Sequence, residues 1–136
     1  MKDARAEEYK EHFEHMESTL KGLPEWPADD VRRQADLAMI HAAVDESLNM
    51  SRMLLKDLGH ELGDDEANLV TLQDEFILTD AMMDKLRAAI AFRDQTLSES
   101  VELDGVILTE KIEQVKYTLL ELMDLFKEVL EDDLAD

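Results

Sequence analysis

The side chains with chemical potential in this sequence are four histidines, 34 acidic residues and no cysteine. His12 and His15 stand three residues apart beside Glu8 and Glu11, a spacing that puts imidazole and carboxylate on one helix face. Such a set could hold a divalent metal such as zinc, so these four are the weak metal candidates. On a helix this charged the simpler reading is a solvated flank. His41 differs, because it falls in an apolar seam one turn before Asp45, which could accept its ring N–H. It reads as a satisfied core or interface histidine, with a pH-sensitive interface as the alternative.

A carboxylate-bridged di-iron centre requires Glu-x-x-His on each of two helices. The residues three before His12, His15, His41 and His60 are Tyr9, His12, Ala38 and Asp57, so the motif is absent. Two carboxylate pairs, Glu7-Glu8-Tyr9-Lys10-Glu11 and Glu61-Leu62-Gly63-Asp64, look superficially similar to the Mg²⁺-holding pairs of all-α nucleoside triphosphate pyrophosphatases. The second falls in a glycine-broken loop and lies far from the first, which weakens the resemblance. No glycine-rich phosphate loop, no hydroxyl nucleophile beside a histidine and no calcium loop are present. No catalytic residue and no cofactor are expected on this basis.

Charge gives the strongest compositional signal, a formal net −20 from 34 acidic and 14 basic residues. Such a surface repels nucleic-acid phosphates and anionic lipid, so direct binding to nucleic acid or membrane is not expected. Between Lys56 and Lys85 there is no lysine or arginine at all. The candidate partner-binding residues are Asp57, Glu61, Asp64, Asp65 and Glu66 in that stretch, Glu128, Glu131, Asp132 and Asp133 near the C-terminus, and Trp26. They point to a non-enzymatic protein-binding module, an acidic inhibitor or adaptor that mimics phosphates on the basic surface of a nucleic-acid-handling protein. The alternatives are the Mg²⁺-dependent pyrophosphatase and a purely structural oligomerisation module.

The elements that must position these residues are helical. With 4 glycines, 2 prolines and few aromatics in 136 residues, the composition predicts one all-α domain over 1–136. Apolar residues recur at three- and four-residue steps in four segments, predicting helices over about 3–22, 28–58, 65–97 and 109–131. Gly59 suits a left-handed helix end, and Asp64, Asp65 and Glu66 suit the next N-terminal turn. Thr79 and Arg93 are polar interruptions of the third stripe. The joint over 98–108 reads as a loop, with Thr96 and Glu99 as a capping box and Asp104-Gly105 as a turn.

The architecture expected is an up-and-down four-helix bundle with long helices 2 and 3, about 45 Å each at 1.5 Å per residue. Helix 1 is too short to cover them, so a homodimer is expected. Pro24, Trp26 and Pro27 make a corner, with Trp26 stapled on Val31. Met50 and Met82 lie off the main seams and, if exposed, would extend a binding face. The N-terminal residues lack an apolar signal region and no apolar run is long enough to span a bilayer, so a cytoplasmic location is expected.

Overall fold

The computed structural model describes residues 3–23, 30–98 and 105–133. They form five α-helices and, among the described residues, no strand: α1 Asp3–Lys21, α2 Asp30–Asp57, α3 Asp65–Asp74, α4 Asp80–Ser98 and α5 Gly105–Asp133. The all-α expectation holds. α2 is the central helix, packed against all four others, and α4 and α1 each also pack on α5.

The stripe that is clearest in the sequence builds the core as its spacing requires: Ile112, Val115, Leu119, Leu122, Met123 and Phe126 of α5 are all buried. Facing them are Ile40, Val44 and Leu48 of α2 and Met82, Leu86 and Ala89 of α4, in one continuous cluster. Met50 and Met82 belong to this interior, so neither extends an outer face.

The expected long third helix is two helices. Its interruption at 75–79 is built from local hydrogen bonds rather than from glycine or proline. Phe76 N–H donates to the Gln73 carbonyl and Ile77 N–H to the Leu72 carbonyl, both at 3.0 Å, the paired bonds of a Schellman helix end. Phe76 occupies the left-handed position with φ +62°, and its side chain is 95% exposed. Thr79 then caps α4, its Oγ1 accepting from Met82 N–H at 3.1 Å. The residue that reads as a polar gap in a long stripe is the start of a new helix. The four-helix bundle with long helices 2 and 3 is corrected accordingly. α2, at 28 residues, keeps about its expected length, and only the third helix is divided.

The α2–α3 joint uses the same device with the expected residue. Gly59 has φ +87°, its N–H donates to the Lys56 carbonyl and His60 N–H donates to that of Leu55. Asp64 caps α3 by accepting from Ala67 N–H at 2.8 Å. Asn68, buried, clamps the connecting loop by accepting from Gly63 N–H at 2.8 Å and donating to the Gly63 carbonyl at 3.2 Å.

α4 ends at Ser98 and α5 begins at Gly105, earlier than the sequence pattern suggests, and 99–104, with Glu99 of the expected capping box, lie outside the described residues. Pro24, Trp26, Pro27 and Asp104 lie outside the described residues, as do the side chains of Asp132 and Asp133. Val31, the expected staple partner of Trp26, is 80% exposed. Among the described residues no helix is long and apolar enough to cross a membrane.

Candidate active site

α2 and α4 meet so that polar side chains from apolar stripes face one another. His41 Nε2 lies 2.6 Å from Thr96 Oγ1, across 55 residues of sequence. The Thr96 hydroxyl is also 2.7 Å from the Phe92 carbonyl one turn back. A hydroxyl has one proton, and a carbonyl at that distance can only accept it. Thr96 therefore donates to Phe92 and accepts from His41 Nε2–H, which assigns the tautomer and leaves Nδ1 as the basic nitrogen. No described group hydrogen-bonds that Nδ1.

Beside this pair sits Arg93, whose side chain is 15% exposed. Nη1 donates to Asp45 Oδ1 at 2.6 Å, while Nε and Nη2 donate to Asp94 Oδ1 at 3.0 and 2.8 Å. Both carboxylates are largely solvated, 63% and 60% exposed, so an inward cation is held by two outward anions. Burial acts to weaken the guanidinium as a base, but bonds to Asp94 and Asp45 outweigh it and raise its pKa above the ordinary arginine value. For His41 burial dominates and lowers the pKa below the usual imidazole value. Asp45 partly offsets that shift and Arg93 reinforces it. The result is a neutral imidazole beside a permanent cation.

This corrects the expected pairing in detail. Asp45 is committed to Arg93, and the ring N–H of His41 goes to Thr96. Along the sequence Arg93 and Thr96 read only as an interruption and a cap. A cation in an apolar stripe, one turn from a hydroxyl, has to be compensated from another helix.

Two further polar groups tie α1 to α2. Arg5 makes a two-pronged contact with Asp57 at 2.7 and 3.1 Å, and Tyr9 donates its hydroxyl to the same carboxylate at 2.5 Å. Burial alone would raise the Asp57 pKa, but those bonds hold it below the usual carboxylate range. Burial and the Asp57 contact both push the Tyr9 phenol up. His12 Nδ1 and His15 Nδ1 both contact Glu46, at 3.2 Å and as close as 2.9 Å. Glu8 pairs with Arg5, and Glu11 is exposed. The weak metal set Glu8, Glu11, His12 and His15 is thus divided between different partners. Among the described residues no group of three or more histidine, aspartate or glutamate side chains is arranged to hold a metal ion.

The expected acidic docking row is largely engaged within the chain. Asp57 holds Arg5 and Tyr9, Asp64 caps α3, Asp65 pairs with Arg52 at 2.8 Å, and Glu66 pairs with Arg87 at 2.6 Å. Glu61, Glu128 and Glu131 are exposed.

No family model matches the chain. Two curated proteins of Archaeoglobus fulgidus, each described as "Putative RNase", are similar to it. One is 24% identical over 127 residues, covering 93% of this chain and 96% of the relative. The other is 27% identical over 124 residues, covering 90% and 89%. Among solved structures, YutE from Bacillus subtilis, a cytosolic protein of unknown function, has the same fold. Its TM-score is 0.73 at 19% identity, over 98% of this chain and 93% of that one.

These relatives overturn the expectation of a non-enzymatic acidic inhibitor of a nucleic-acid-handling protein. Two proteins that resemble this chain over nearly its whole length carry the description "Putative RNase", the name of an enzyme.

Proposed function

We propose that the chain is a ribonuclease whose active groups are His41 and Arg93, with Thr96 as a positioning residue. The reading is carried by the juxtaposition of a neutral imidazole, a held guanidinium and a hydroxyl at the α2–α4 contact, and it is supported by the description given to the archaeal relatives. These groups suit transesterification of RNA, in which the nucleophile is supplied by the substrate. His41 Nδ1 takes the proton of a ribose 2′-hydroxyl, and the 2′-oxygen attacks the adjacent phosphorus. The P–O5′ bond breaks, and O5′ takes a proton from water. Two of the five guanidinium N–H groups of Arg93 are not used by Asp45 or Asp94 and can stabilise the charge that develops on the phosphoryl oxygens. Thr96 holds Nε2, so that Nδ1 is the nitrogen left to act as the base. A cytoplasmic location accords with an RNA substrate.

The test is cleavage of a labelled single-stranded RNA in the presence of a metal chelator. Expected products carry a 2′,3′-cyclic phosphate and a 5′-hydroxyl, and the all-deoxy strand stays intact. His41→Ala should lower the rate by about 10²–10⁴-fold, and Arg93→Lys, which keeps the charge without the fork, should also lower it. Undiminished cleavage by a folded His41→Ala variant would sink the assignment.

A further inference from the structure

A cleft of about 430 Å³ runs between α4 and α5, lined by Lys85, Ala89, Phe92, Lys111, Tyr117 and Glu121 among others. Its volume is in the range of small-ligand sites, about 300–1,000 Å³. In a chain of net charge −20 its charged lining is two lysines against one glutamate. Glu121 is paired with Lys85 at 3.1 Å, while Lys111 pairs with no carboxylate among the described residues. Tyr117 is 58% exposed, with Lys116 Nζ 5.5 Å from its ring centroid. Buried Phe92 and Ala89 give an apolar floor.

The cleft shares α4 with the His41 site, and His41, Arg93 and Thr96 are not among the residues that line it. Lys85, Ala89 and Phe92 lie on one stripe of α4 whose next member is Thr96, and Phe92 is the residue whose carbonyl anchors the Thr96 hydroxyl. α4 ends at Ser98 and α5 starts at Gly105, while Lys85, near the start of α4, pairs with Glu121, midway along α5, so the two helices run antiparallel. Lys111, about 9 Å along α5 from its start, is therefore on the same end as Arg93, about 7.5 Å along α4 from its finish.

We propose that this cleft is the cradle for a nucleotide of single-stranded RNA flanking the scissile phosphate. Lys111 contacts a backbone phosphate, and Tyr117 stacks a base over the Phe92 floor. The proposal rests on the ribonuclease reading for its substrate. The net charge does not forbid it. At physiological salt, charges beyond about 8 Å are largely screened, so the local lysines govern a bound phosphate. Recognition through stacking and backbone contact predicts tolerance of base identity.

The experiment measures fluorescence-anisotropy binding of a 2′-O-methyl RNA octamer, which cannot be cleaved, alongside turnover of the unmodified strand. Lys111→Ala and Tyr117→Ala change exposed positions, so folding should survive, and Lys10→Ala on α1 is the control. Each groove variant is expected to weaken octamer binding about 10-fold, with Lys10→Ala unchanged. Octamer affinity that ignores both groove substitutions, or no measurable binding, overturns the cradle even if RNA is cleaved. Groove-dependent binding without cleavage by the wild-type chain leaves the cradle standing and removes the ribonuclease reading. Adenosine monophosphate competing as well as an octamer would also overturn the proposal, since the site would then take free nucleotides rather than a strand.

Discussion

Replacing Phe76 with glycine should stabilise the protein, although it deletes a large aromatic. An L-residue in the left-handed region costs about 1–2 kcal/mol, and Phe76 has φ +62°. Glycine removes that cost but adds about 0.5–1 kcal/mol of unfolded-chain entropy. The side chain is 95% exposed, so almost no burial is lost. The net gain is about 0.5–1 kcal/mol. For 136 residues the unfolding entropy near the midpoint is about 0.3 kcal/mol/K, so Tm should rise about 2–4 °C. Phe76→Ala, which keeps the conformation and the Cβ, should change Tm by under about 1 °C. Thermal unfolding followed by circular dichroism separates the two. A glycine variant no more stable than the alanine one would refute the account, showing that the left-handed backbone at position 76 costs an L-residue less than this.

Three other outcomes can be checked. His41 has a folded pKa below its unfolded value near 6.5, so the unfolded chain binds more protons in that interval. Stability should then decline as pH falls through 6.5, and His41→Gln should flatten that part of the profile. Asp45→Asn removes the charge that raises the His41 pKa, so imidazole titration by NMR should move lower still; an upward move would contradict the assigned electrostatics. Asn68→Ala leaves the Gly63 N–H and carbonyl without their clamp. It should cost about 2–3 kcal/mol, a Tm fall of about 7–10 °C, and an unaffected Tm would mean that water replaces the clamp fully.

Much of the scaffold can be read from residue spacing because burial imposes it. The α5 stripe from Ile112 to Phe126 is interior for the reason its period suggests, and Gly59 ends α2 because glycine enters the left-handed region readily. The break before α4 is hidden for the converse reason. Phenylalanine at position 76 gives no warning of positive φ, and Thr79 falls in register with the apolar stripe on either side of it. The candidate site is half legible. His41 stands out as a histidine in an apolar seam, but its partner is selected by helix packing, so Thr96 rather than neighbouring Asp45 receives its N–H. The acidic run misleads in the same way, because charge counted along the chain does not reveal that Arg52 and Arg87 reach back to Asp65 and Glu66.

The break at 75–79 also sets an order of opening. α3 is 10 residues long, below the length at which an isolated helix persists in water. Its integrity depends on Leu69 and Leu72 seated on the core and on the Asn68 clamp at its start. Had the helix been continuous, its amides would exchange with those of α4 as one cooperative unit. Divided by Phe76, the α3 amides should trade hydrogen for deuterium through a smaller, local opening, while those in the middle of α5 wait for global unfolding.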